Sequence, residues 1–522
     1  MKRMAIVRLT AMPAIALALL GVLLLALSSG PADAATTFTV NKTSDAKDSR
    51  ISDSVCDTSR QNGKQCTLRA AIQESNDTSG ADTIKFNIGG TTSVKTIKPA
   101  SPLPTIKGTV TINGYTQPGA SENTLATGND AVLKMQLNGT NAGFGANGLK
   151  ITASNSTIKG LVINSFLDNG VQIAGSGATG NKIEGSFIGT KADGTGALAN
   201  GNAGVDIFNA PNNTVGGTQP AQRNVLSGNV ADGVQIAGSL ATGNKVQGNF
   251  IGTSASGTQD LGNSGDGVVI DIAPNNTVGG TSSGARNVIS GNRFGVFVSG
   301  SGATGNKVEG NRIGTKADGS GDLGNDGDGV IISAGASNNT IGGTAGGAGN
   351  AISNNGVDGV SISSGTGNRI LSNFIFSNTG LGIDFFPDGV TANDTDDPDT
   401  GANNLQNFPV INSAIRSIST GFTSITGTLN SNPSQSFTVQ CFVAVPDGSG
   451  HGEGQIPAGA DTVQTDAGGD ADGPDSFSCV SPVPQLGQAV TATATNTSGT
   501  ATGTAIGDTS EFSLNVGVSP GP

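Results

Sequence analysis

The chain has 522 residues, a net charge of −12, only 13% charged residues, 82 glycines, one tyrosine and no tryptophan. It is too long for one ordinary compact domain and cannot build a core around large aromatics. It also lacks the clustered Lys and Arg that phosphate binding needs, which excludes nucleic acid as a partner.

Residues 1–34 read as a cleaved export signal. Lys2, Arg3 and Arg8 precede an apolar run, roughly Ala11 to Leu27, and the small residues Ala32 and Ala34 suit cleavage after Ala34. The alternative is an uncleaved membrane anchor, because the run is almost long enough to span a bilayer. That anchor is the only membrane attachment the sequence suggests, and a secreted or cell-surface location is expected. In an exported chain the two sequence-local cysteine pairs predict two disulfides, Cys56–Cys66 and Cys441–Cys479. Zinc is the weaker reading, since there is no Cys-x-x-Cys and the lone His451 is not placed to complete a site.

Residues 35–82 are expected to form an N-terminal cap. "CTLRAAIQESN" places Leu68, Ala71 and Ile72 on one helical face with Thr67 as N-cap, which describes an amphipathic lid. Strands around "TIKFNI", "TVTINGY" and "VLKMQL" then begin a rod over residues 83–407.

The rod is written in a four-residue ruler: Gly, aliphatic, any residue, then Ile, Val or Phe. It starts at Gly148, Gly170, Gly204, Gly233, Gly267, Gly295, Gly329, Gly359 and Gly382, with gaps of 22, 34, 29, 34, 28, 34, 30 and 23 residues. Two further short period-2 strands follow within each unit, with Asn or Gly at the corners, residues that tolerate a left-handed turn. Three short strands per unit of 22 residues or more describe one coil of a parallel β-solenoid. A propeller blade repeats at about 40–50 residues, too long for this spacing. Nine coils about 4.8 Å apart make a segment of roughly 40 Å.

Insertions such as "TQPAQR" and "GTKADGTGALANGN" project from the same corners of alternate coils. Asp193 and Asp318 in the longer set are matched by Ser256 in the middle copy, so a polar turn is expected there and not a metal ligand. The "NNT" sequons near 213, 276 and 339 fall at corners and read as structural Asn. Arg223 and Arg286 occupy equivalent positions 63 residues apart and also read as structural.

"CTLRAAIQESN" after "TFTVNKTSDAKDS", with "INGYTQPGA", "NTVGGT…RNVISGN", "GNFIGT", "LGIDF" and "DGVTANDTDDPDTGANNLQNFPVI", resembles the CSLREA-type repeat proteins of exported bacterial β-helices. The resemblance runs from Thr37 to about Ser513 and departs from the name-giving motif at Thr67 and Ala70, where Ser and Glu are usual. It implies a right-handed parallel β-helix on an exported, often surface-associated protein, and no agreed enzymatic activity. Losing the Glu would remove a charge from the edge of the lid.

From Ile411 the ruler stops. Thr- and Val-rich alternating runs suit a small β-sandwich over residues 408–518, with 519–522 as a tail. The fold class is therefore all-β: a parallel β-helix with an N-terminal helical cap and a C-terminal β-sandwich.

Three chemical features follow. Asp394, Asp396, Asp397 and Asp399 in "NDTDDPDTG" could offer hard oxygens to structural Ca²⁺ at the joint between rod and sandwich, although the EF-hand pattern is not met. The alternative is a solvated acidic linker. The third ruler position points outward, and Val269, Phe297 and Ile331 are consecutive there, predicting an apolar docking stripe about 10 Å long or a surface that a corner loop covers. Asp206 is a lone outward carboxylate, and neither Trp nor a Tyr cluster is available to stack on sugar rings, so no catalytic residues are assigned. The expected function is a monomeric, non-catalytic scaffold for adhesion or matrix recognition with a glycan or surface-protein partner. The alternative is a polysaccharide lyase, hydrolase or epimerase on the same scaffold.

Overall fold

A computed structural model describes residues 35–59, 64–471, 476–498 and 506–521. The export signal expected over residues 1–34 lies outside them. Among the described residues no helix is long and apolar enough to cross a membrane.

The ruler strands stack, in unbroken sequence order, into a nine-stranded sheet from Leu149–Ile151 to Ile383–Phe385. The second and third strands of each coil build sheets of eleven and ten strands, and the three sheets wrap a right-handed parallel β-helix. Register is strict: Val205, Val234, Val268, Val296, Val330, Val360 and Ile383 pair in succession, so each first aliphatic of the ruler sits on the next. All of these side chains are buried, as period-2 alternation requires. Between residues 148 and 385, antiparallel bridges occur only inside the longer insertions, at Thr190–Ala197, Thr253–Asp260 and Thr315–Asp322.

Asparagine does more at the corners than the turn argument foresaw. In "NNT" the first Asn takes the left-handed conformation (Asn212, Asn275 and Asn338, φ 58° each), while the second turns inward. Asn181, Asn213, Asn244, Asn276, Asn306, Asn339 and Asn368 form a buried ladder. Each side-chain amide in it donates to the Oδ1 of the next member over 3.0–3.3 Å through to Asn339, and Asn339 donates to Asn368 at 3.1 Å. Two further ladders run through Asn224–Asn249–Asn287–Asn311–Asn350–Asn373 and Asn200–Asn229–Asn263–Asn292–Asn325–Asn355–Asn378. Every ladder residue also binds coil backbone, so corners that leave the sheet keep their polar groups paired.

The insertions cover one flank. Val162, Phe187, Val225, Phe250 and Val288 point outward from the ten-stranded sheet and are sealed by Ala255 and Ala317 of the longer loops. Asp193 accepts from Thr195 N (3.0 Å) and Asp318 from Ser320 N (2.8 Å), making the polar turns expected of them. Arg223 is buried, donates to the carbonyls of Leu125, Ala126, Gly128 and Gly248, and lies 4.7 Å over the Phe250 ring. It is structural.

At the N-terminal end a helix (Leu68–Ser75) covers the open coil, and the Thr67 side chain accepts from Ala70 N at 3.1 Å. Ala70 is completely buried, so this position is inside the lid and not at its edge. The strand Thr37–Val40, expected in the cap, instead pairs in parallel with Asp82–Phe86 and lengthens the eleven-stranded sheet. The Cys56–Cys66 and Cys441–Cys479 disulfides form.

The C-terminal part packs a four-stranded sheet (Ser436–Val445, Glu453–Gln464, Ala489–Asn496, Val516–Gly517) on a second sheet that contains Val410–Arg416 and Thr423–Asn430. Cys441 and Cys479 belong to different sheets and tie them together. Ser519–Pro520, expected in a tail, pairs with Ile415–Arg416, and Gly521 N donates to Arg416 O at 2.8 Å. Those backbone bonds draw the terminus onto the sheet edge.

This unit also closes the rod. Phe442 and Phe512 enter the rod's core and meet edge-on at 5.5 Å. Backbone N–H groups at the last coil's open edge find side-chain acceptors: Phe385 N on Glu511 (2.9 Å), Gly367 N on Asp508 (2.6 Å), Ile370 N on Thr509 (3.0 Å) and Asn378 N on Glu453 (3.0 Å). An edge that would template aggregation is paired instead.

Candidate functional site: an acidic groove at the end of the rod

The residue before the ruler glycine is Asp at 232, 266, 328 and 358. Three of these carboxylates hold the following coil through one oxygen. Asp232 Oδ1 accepts from Asp266 N (2.8 Å), Asp328 Oδ1 from Asp358 N (3.0 Å) and Asp358 Oδ1 from Leu381 N (2.7 Å). Asp266 is instead paired with Arg293 through bonds of 2.9 and 3.0 Å.

Where this row ends, the last coils enclose a groove of two bays. One, of about 270 Å³, is walled by Phe294, Ile331 and Phe386 with Asp328 and Ser361. The other, of about 350 Å³, reaches Thr379, Leu381 and the 447–449 turn of the C-terminal domain. Val357, Asp358, Asp384 and Asp388 line both, and among the described residues no Lys, Arg or His lines either. Asp384 occupies the third ruler position, in register with Ser361, and its Oδ1 accepts from Gly389 N at 2.8 Å.

These carboxyls are desolvated, and among the described residues no basic side chain compensates. Burial pushes Asp358 up to about 7, with the charges of Asp384 and Asp328 adding to the shift. Burial likewise pushes Asp384 up to about 6, with Asp388 and Asp328 contributing, and it raises Asp328. Raised carboxyls gathered in a cleft with apolar walls make this groove the candidate functional site. Above about pH 7 these carboxyls ionise and only accept hydrogen bonds, so the groove then suits a ligand rich in hydroxyl or amino donors with an apolar face for the Phe rings.

Asp384 was visible as an outward ruler residue, but nothing in the sequence paired it with Asp358. The Asp–Gly step before four of the nine ruler strands was the available signal. Sequence reasoning also discounted aromatic walls for want of Trp and Tyr. Phe294 and Phe386 supply them.

The expected stripe is partly displaced. Val269, Phe297 and Ile331 do stack in register, but Val269 is only 7% exposed and leaves the surface. Ile331 walls the groove, and Phe297 lies 6.3 Å from Phe294, so the exposed part of the stripe runs into the groove. Asp206 is buried, accepts from Gln172 Nε2 at 2.9 Å, and is raised by that burial.

In the acidic joint, Asp394, Asp397 and Asp399 bring carboxylate oxygens within 4.8 Å of one another. Asp396 does not join them; its backbone is left-handed (φ 64°) and its N–H donates to Asn430. Asp397 accepts from Ser431 Oγ (2.6 Å) and Asn407 N (3.2 Å), and burial pushes it up to about 7. Asp394 Oδ1 and Asp399 Oδ1 are buried with no partner among the described residues.

No protein-family model matches the chain, and no curated protein matches it. Among solved structures it is similar to a mutant of the periplasmic alginate epimerase AlgG, with a TM-score of 0.33 and 14% identity over 61% of this chain and 67% of that one. It is also similar to a tailspike protein of the Acinetobacter baumannii bacteriophage Fri1, a capsular polysaccharide depolymerase, with a TM-score of 0.24 and 11% identity over 78% and 64%.

Proposed function

We propose that the protein is an exported recognition rod that binds a neutral or amino-bearing glycan in the end groove. The observation that carries this reading is a cleft of carboxyls and Phe walls that, among the described residues, holds no basic side chain. The same charge disfavours uronate polymers, which would meet five aspartates. The two disulfides support an extracytoplasmic location, and the covered rod ends support a monomer. On a glycan array the protein should select neutral or amino-sugar chains. Phe386→Ala and Asp388→Ala should each weaken that binding by about tenfold, roughly 1.4 kcal/mol. Binding that both variants leave unchanged would place the ligand elsewhere.

We propose further that Asp394, Asp397 and Asp399 hold a structural Ca²⁺. Two orphaned buried oxygens and a carboxyl raised by burial support it, because a cation would relieve both. Calcium at a hundred times its dissociation constant should add about 2.7 kcal/mol of stability. A chelator should remove that gain, and Asp399→Asn should be insensitive to both. A melting temperature indifferent to calcium in the wild type would leave the joint a plain acidic linker.

A further inference from the structure

We propose that the end groove hydrolyses the glycan it binds, with Asp358 and Asp384 as the catalytic pair. This rests on the reading of the groove as a glycan site and adds turnover to it.

The geometry carries the step. Asp358 and Asp384 stand on adjacent coils and belong to the wall that the two bays share. A chain with one sugar in each bay therefore has its glycosidic linkage over these two side chains. Both are more than nine-tenths buried, at 9% and 4% exposure. Each is anchored by one oxygen to a backbone N–H, Asp358 to Leu381 and Asp384 to Gly389. Among the described residues no donor reaches the second oxygen of either, so both are held in place with an oxygen free for the ligand. A pair of carboxyls flanking one linkage is what glycoside hydrolysis requires.

The roles follow from the different environments of the two groups. Asp358 is buried among Asp384, Asp328 and Asp388, whose charges add to desolvation in holding its proton, and it is the acid; Asp384, backed by the Gly389 N–H, is the base. Asp358 gives its proton to the glycosidic oxygen as the C1–O bond breaks. Asp384 takes a proton from water as the water oxygen bonds to C1. One water is consumed, two new chain ends form, and the proton gained by Asp384 returns to Asp358 through solvent. Asp328, Asp388 and Asp447 also face the groove, and the first two help to set both titrations.

The test uses the full chain with soluble β-glucan, mannan, galactan and partly acetylated chitosan, measuring binding and new reducing ends in parallel from pH 5 to pH 8. The expected result is turnover of a bound polymer with a bell-shaped pH profile centred between about 6 and 7. Asp358→Asn and Asp384→Asn should each cut the rate at saturating polymer by about a hundredfold or more, a loss well beyond any weakening of binding. Asp358→Asn should also erase the alkaline limb of the profile, which a merely structural residue would not do. Binding without reducing ends from any polymer overturns hydrolysis and leaves recognition standing. Absence of binding to every polymer overturns both.

Discussion

Asn276→Ala should destabilise the rod by about 2–4 kcal/mol, while Asn275→Gly, one residue earlier, should change stability by less than about 0.5 kcal/mol. The two asparagines are chemically identical neighbours with opposite duties. Asn276 Oδ1 accepts the backbone N–H and the side-chain amide of Asn244 at 2.9 and 3.1 Å, and its own amide reaches Asn306 Oδ1 and Pro274 O. Truncation would leave these buried groups unpaired, each costing about 1–3 kcal/mol. Asn275 is exposed with φ 58°, a conformation glycine adopts freely. Urea midpoints of the two variants decide the matter. Equal losses would mean that the ladder adds nothing beyond turn geometry.

The docking of the C-terminal domain onto the rod should weaken as pH rises from 5 to 8. Glu453 and Glu511 are each pushed up to about 7, chiefly by burial, against an ordinary value of 4.5. The native state thus holds these protons more tightly than the unfolded chain. The stabilisation is complete below the unfolded value and is lost as pH passes about 7. Each group contributes on the order of 1–3 kcal/mol to the difference. Burial raises Asp508, at the same closure, in the same sense. Melting should therefore be higher at pH 5 than at pH 8, and the difference should shrink in a Glu453→Gln, Glu511→Gln double variant. Part of the slope should survive there, because Asp358 and Glu74 are also raised to about 7. Wild-type melting that stays level or climbs with pH would contradict the burial of these groups at the closure.

Local periodicity determined most of the rod. Each ruler phrase marks one strand of the nine-stranded sheet, because a period of two assigns every side chain to the inside or the outside and Gly or Asn allows the corner. The chemistry of exported cysteines was enough to pair Cys56 with Cys66 and Cys441 with Cys479. Alternation cannot state which outward residues reach water. Phe187 and Phe250 are sealed by inserted loops, Val269 is buried, and Phe386 stays 63% exposed. The groove was out of reach for the same reason. Asp358 and Asp384 come from different coils and the 447–449 turn from another domain. Stacking and capping bring them together, and those contacts are long-range, so no local pattern in the chain records them.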